Sequence, residues 1–161
     1  PKGCVLKTTE KFPQSVTNAI DANIIEDAKT GEQYMLYGSF WGGCHVLKLN
    51  KTTGFAEEEG IGVCIARRPK WQSGSMEGPY MVYNAQNNYY YLFVSYGSLT
   101  REGGYQMRVF RSKTVDGEYV DMNGAYPGMR ITAQDYSPCV DINGMKGRHI
   151  WVPDIIQCYM M

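Results

Sequence analysis

The chain carries one structural unit twice, and that repetition limits its fold more than any composition figure. Residues 18–54 and 75–119 follow the same plan. In each, a carboxylate (Asp21 or Glu77) precedes a short apolar run, 23–25 or 80–83. A polar turn follows, "EDAKTGEQ" or "NAQNN", then a second run, 34–39 or 89–98, that ends in Gly-Ser. A glycine-bearing connection leads to a third run, 45–49 or 106–111, closed by "NKTTG" or "VDGEY". The two Gly-Ser marks stand 59 residues apart. Alternation and enrichment in Tyr, Val and Ile predict strands rather than helices, and residues 1–135 show no capped helical period. Meanders that recur every 50–60 residues predict the blades of a propeller, with a sandwich as the rival all-β architecture. "VCIARR" (63–68) supplies a fourth strand to the first unit, and "GCVLKT" (3–8) closes a preceding one.

Composition removes several function classes. At 161 residues the chain is one domain or part of a larger one. Lys+Arg and Asp+Glu are both 16, so there is no surplus of cations for phosphate contacts, which argues against nucleic acid. Arg67, Arg68 and Lys70 form too short a basic cluster to change this. No run approaches the roughly 20 apolar residues of a membrane span. No signal peptide is present and the chain opens on Pro1, so it reads as cut from something longer, with its compartment open. The five cysteines (Cys4, Cys44, Cys64, Cys139, Cys158) are scattered and form no CxxC pair, which argues for free thiols over a disulfide framework or a zinc site. "REGGY" (101–105) has glycines but no helix after it, so it is not a phosphate loop. "AEEEG" (56–60) reads as a solvated turn, and His45, inside a strand-like run, as structural.

In a propeller, equivalent positions of successive blades share one rim near the axis. Asp21 and Glu77 both precede the first strand of their unit, so they are expected to converge on one mouth. Two acids converging in this way suit acid–base work at a glycosidic bond. Taken singly, each has a plainer reading: Asp21 as a strand-start residue that satisfies backbone donors, Glu77 as a rim charge. Their matched placement favours a site.

The stretches "NAIDANI", "YGSFWGG", "MEGPYMVY", "YYYLFVSYGSLTR" and "MRVFRSK" span roughly residues 15–125. In that order and spacing the chain resembles glycoside hydrolase family 43, particularly its arabinan-degrading endo-enzymes. The resemblance implies an all-β fold, a partial five-bladed β-propeller with two to three blades in residues 1–135. It also implies hydrolysis of α-1,5-arabinan or arabino-oligosaccharides with inversion. Glu77 falls on the general acid, and Asp21 on the aspartate that tunes and orients it. Asn18 and Ser39 fall where the family contacts the sugar with polar groups. Phe40 and Trp41 fall where an apolar wall would stand, though each also reads as core. Ala22 stands where many relatives have proline.

The family's general base is an aspartate of the first blade, N-terminal to everything matched here. An isolated chain of this sequence is therefore expected to be inactive and to self-associate through open blade edges. No cofactor is expected from its own residues; in complete members the resemblance implies a calcium ion near the axis. It further implies a secreted or periplasmic bacterial parent. Sister activities are arabinofuranosidase and xylosidase. The readings from another class are a non-catalytic carbohydrate-binding propeller, a pseudoenzyme, or a propeller used for protein contacts.

Residues 136–161 depart from the pattern. The family carries there a segment like "YMGTGHNTVL". The codons of "HIWVPDIIQCYMM" read two bases forward can yield it, with Trp151 and Val152 forcing Gly and Met160 and Met161 forcing Asp. A frameshift between about Asp135 and Arg148 is the expectation, which makes His149 and Trp151 accidental.

Overall fold

The computed structural model describes residues 3–6, 17–40, 42–68 and 76–124. Two antiparallel sheets fill this span. The first has the order β1(Asn23–Glu26), β2(Gln33–Tyr37), β3(Cys44–Leu49), β4(Val63–Ala66). The second has the order β5(Met76–Asn84), β6(Tyr89–Tyr96), β7(Gln106–Ser112). No helix occurs among the described residues. Each sheet is a meander of neighbouring strands, as the repeat predicts, and Val120 begins a fourth partner in the second sheet by bridging Arg111.

The turns follow from short polar side chains. Asp27 Oδ1 accepts the N–H groups of Lys29 (2.7 Å) and Thr30 (3.3 Å) between β1 and β2. Asn50 Oδ1 accepts those of Thr52 and Thr53, both at 3.0 Å, after β3. Both are Asx turns, in which the side chain replaces a backbone acceptor and reverses the chain.

Alternation places one face of each sheet against the other. Leu36, Val46 and Ile65 of the first sheet meet Met76, Met81, Tyr90, Leu92, Val94 and Phe110 of the second in one buried cluster. The opposite face of the first sheet buries Met35, Tyr37, Leu47 and Leu49 with Leu6 and Ala56. His45 is buried in β3 beside the Tyr37 ring, its centroid 5.9 Å away, and burial holds its pKa below the usual value. Cys4, Cys44 and Cys64 are free thiols.

Two expectations need correction. The second unit's first strand begins at Met76, not at residue 80, because a bulge absorbs Gly78 and Pro79. Pairing therefore extends past them, with Met76 opposite Tyr96 and Glu77 opposite Ser95. Residues 3–6, read as part of a strand, are not in one. The expectations for Trp41, for Cys139 and Cys158, and for the tail from residue 136 lie outside the described residues.

A polar clasp joins the sheets at the rim away from Glu77. The Tyr90 hydroxyl donates to Asp27 Oδ1 (2.7 Å) and accepts from the Ala28 N–H (3.1 Å), and Lys29 Nζ donates to the Lys113 carbonyl. Burial alone would raise the Asp27 pKa. The Tyr90 phenol, the Lys29 and Thr30 N–H groups and the Lys29 charge together hold it below the usual carboxylate value. A carboxylate so lowered contributes stability above its unfolded pKa of about 4, and loses it as pH falls through the folded value. Tyr90→Phe keeps the ring but removes both hydrogen bonds, at a cost of about 1–3 kcal/mol. Urea unfolding is expected to show that deficit at pH 7 and a smaller one once pH falls below the lowered folded value, where Asp27 takes up its proton in the folded state too.

Candidate active site

The site forms where the end of β2 crosses to the start of β5. After Tyr37 the chain leaves its sheet through Gly38, whose φ is +127°. A Cβ there would lie 2.4 Å from the Gly43 carbonyl oxygen and 2.7 Å from Thr17 Oγ1, so only glycine fits. Ser39 then forms an isolated antiparallel bridge with Glu77, and the Phe40 N–H donates to the Met76 carbonyl (2.7 Å). This short crossing brings the two expected positions together.

Glu77 is half-buried, and its Oε2 accepts from the Ser39 hydroxyl at 3.2 Å. Ser39 itself is buried at 1 % exposure, and its N–H donates to Thr17 Oγ1 (2.9 Å). Asp21 is exposed, and its Oδ2 accepts the Gly78 N–H at 3.2 Å, one residue beyond Glu77. Two residues on, Asn23 Oδ1 accepts the Met81 N–H at 3.1 Å. The bulge in β5 frees backbone donors that a regular ladder would use, and Pro79 has none to offer. Side chains of the first sheet take them up. This explains why a Gly-Pro pair follows the acid: it bends β5 and aims Glu77 at the neighbouring sheet.

Backbone conformation is unusual at this point. Asp21 (φ 58°) and Phe40 (φ 55°) are two of the three non-glycine residues with positive φ among the described residues. Asp tolerates that region, whereas Phe occupies it at a cost of about 1–3 kcal/mol. Such strain concentrates where geometry is held for a purpose.

Tyr105 completes the cluster. It is half-buried at the entry to β7, near Glu77 and Ser95. Burial is the main cause of its raised pKa; the Glu77 and Asp21 charges add to the rise, and Ser95 opposes it. Cys44 lies beneath, fully buried, with its thiol pushed up by burial and by the charges of Cys64, Asp21 and Glu77. It is therefore an inert packing group.

The structure thus brings Asp21, Glu77 and Ser39 together. Asn18 joins through its N–H, which donates to the Ser39 carbonyl at 3.4 Å, and Phe40 through its backbone. Trp41 is outside the described residues. Sequence reasoning missed Thr17, Ser95 and Tyr105. A topological signal for Tyr105 existed: in a meander the start of β5, the end of β6 and the start of β7 share one rim. Among the described residues no group of three or more His, Cys, Asp or Glu is placed to hold a metal ion. The arrangement offers a half-buried carboxyl group, oriented by the Ser39 hydroxyl and flanked by a second carboxylate, at an open rim. Such a group can exchange a proton with a bound oxygen.

The profile of Glycosyl hydrolases family 43 matches residues 4–137. The extracellular endo-α-(1→5)-L-arabinanase of Thermotoga petrophila is 44 % identical over 108 residues, covering 66 % of this chain and 22 % of the relative. The extracellular endo-α-(1→5)-L-arabinanase 2 of Bacillus subtilis is 38 % identical over 131 residues, covering 81 % of this chain and 24 % of the relative. The chain therefore spans about a quarter of the length of these two relatives. Among solved structures, the family 43 endo-arabinanase of Bacillus licheniformis superposes with a TM-score of 0.67 at 33 % identity, over 78 % of this chain and 41 % of that one. The match runs through all seven strands and the crossing that joins the sheets, so the chain belongs to glycoside hydrolase family 43, and its two sheets are blades of a partial five-bladed β-propeller.

Proposed function

We propose that this chain is the acid-bearing part of an inverting glycoside hydrolase that cleaves α-1,5-linked arabinan. Glu77 protonates the departing glycosidic oxygen. Asp21 holds the bulge that aims Glu77 and takes the tuning and orienting role. Asn18, Phe40 and Trp41 take the sugar-contacting roles that their family positions imply, while the Ser39 hydroxyl is directed at Glu77. An inverting reaction needs a second carboxylate roughly 6.5–9.5 Å from the acid to activate water. We assign that base to a segment outside the described residues, for which the greater length of the relatives leaves room. The names of the two curated relatives support a secreted parent and an arabinan substrate.

The observation that carries the reading is the hydrogen bond from the Gly78 N–H to Asp21, next to the bond from Ser39 to Glu77. It ties the two acids of successive blades to one mouth. The direct test is the stereochemistry of the product. Linear α-1,5-arabinan hydrolysed by the complete polypeptide is expected to release β-configured reducing ends first, as seen by proton NMR before mutarotation. Release of the α-anomer would mean double displacement and would remove the inverting assignment. Binding without cleavage would favour the non-catalytic propeller.

A further inference from the structure

Thr17 takes no part in the proposed proton transfer, yet its side chain holds the residue that meets Glu77. We propose that Thr17 is a positioning residue: its hydroxyl locks Ser39 into the crossing, and Ser39 thereby keeps Glu77 at the angle from which it reaches the leaving oxygen. This rests on Glu77 being the general acid.

Residues 17–20 run beside the crossing and are bonded to it. The Asn18 N–H donates to the Ser39 carbonyl (3.4 Å), and the Gly38 N–H to the Ile20 carbonyl (3.0 Å). The Ser39 N–H is met by a side chain instead, since Thr17 Oγ1 accepts it at 2.9 Å. Thr17 is 2 % exposed and Ser39 1 %. A buried N–H stripped of its acceptor is costly, so without this hydroxyl the crossing would shift toward another partner. The same oxygen also stands against Gly38, where a Cβ would lie 2.7 Å from it. Thr17 thus fixes two successive residues of the crossing, one by hydrogen bonding and one by contact. Phe40 follows in the left-handed region, at φ 55°. Such a conformation persists only where surrounding contacts over-determine it, and the bond from Ser39 to Thr17 is one of those contacts.

Ser39 passes this order on in two ways. Its backbone bridges Glu77, and the Phe40 N–H donates to the Met76 carbonyl at 2.7 Å, so the crossing and the start of β5 move together. Its hydroxyl donates to Glu77 Oε2 at 3.2 Å. A donor on Oε2 leaves the proton of the neutral carboxyl group to Oε1. The serine therefore selects which oxygen serves as the acid, and it does so only while its own backbone is held.

The test uses the complete polypeptide and two substrates: linear arabinan, whose leaving oxygen needs a proton, and an aryl arabino-oligosaccharide with a nitrophenolate leaving group, which does not. Thr17→Val keeps the shape and removes the acceptor. It is expected to lower kcat on arabinan on the order of ten- to hundredfold, because misaligned reacting groups forfeit that much. KM is expected to stay within about twofold, and the loss on the aryl substrate within about threefold. Thr17→Ser keeps the hydroxyl and is expected to stay within about threefold of the parent on both substrates. Unchanged kcat on arabinan for Thr17→Val would overturn the proposal. So would a larger loss for Thr17→Ser than for Thr17→Val, which would mark a packing role. Equal losses on both substrates, while Glu77→Gln discriminates between them, would do the same. Ser39→Ala keeps the N–H that Thr17 accepts and decides the matter if Thr17→Val does not fold. It is expected to show the pattern of Thr17→Val, and an unchanged kcat would remove the link on which the proposal depends. If Glu77→Gln itself fails to discriminate, the acid assignment falls and this one falls with it.

Discussion

Glu77→Gln in the complete polypeptide is expected to lower kcat on linear arabinan by roughly 10²- to 10⁴-fold, the range that a positioned general acid contributes. Gln matches Glu in shape and can still accept from the Ser39 hydroxyl that now meets Oε2 at 3.2 Å. The bridge between Ser39 and Glu77 is a backbone feature and survives the change. Folding is therefore expected to be unaffected, and a melting curve that coincides with the parent's would show it. On the proposed reading, what is lost is the ability to hand a proton to the departing oxygen. The deficit is expected to be large on arabinan, whose alkoxide leaves poorly, and small on an aryl glycoside. Arabinan turnover within about threefold of the parent would mean that another group supplies the proton.

Gly38→Ala is expected to destabilise the protein by about 3 kcal/mol or more. Two effects add. The φ of +127° is one that residues with a side chain rarely adopt. The added methyl would sit 2.4 Å from the Gly43 carbonyl oxygen, 2.7 Å from Thr17 Oγ1 and 3.0 Å from Cys44 Cα. Two of these three neighbours are backbone atoms and cannot swing aside. Relief requires moving the crossing that carries Ser39 and Phe40, so arabinan cleavage is expected to fall with stability. Gly54→Ala is the control. Its φ is +76°, but nothing lies within 4 Å of the new Cβ, so only the conformational penalty of about 1 kcal/mol remains. Urea midpoints separate the two; equal midpoints would mean that the crossing is softer than its contacts suggest.

The strands were legible because their information is local. β2, β3 and β6 are runs rich in Tyr, Val and Leu that are buried along most of their length, and such runs between polar turns are written in the sequence. The pairing of Asp21 with Glu77 was legible through the repeat, which puts equivalent positions at equivalent places. The start of β5 was not. Gly78 and Pro79 read locally as a boundary, and only Asp21 and Asn23 of the other sheet, by taking the Gly78 and Met81 N–H groups, let the strand run through a bulge. Tyr105 was hidden for a similar reason. Its position depends on two limbs of a loop touching through glycines, a contact between residues that local pattern does not link. The resemblance reads Ser39 as a polar contact to the sugar; the structure shows it 1 % exposed and bonded to Glu77, a burial that local pattern does not reveal.

The two sheets are fastened to each other at both ends of their shared seam, by Asp21 on Gly78 at one and by Tyr90 on Asp27 at the other. Neither can pivot against its neighbour without breaking a polar contact. On the function proposed above, an incoming arabinan would meet a Glu77 whose place is already set, and adjustment to different sugars would fall to the connecting loops.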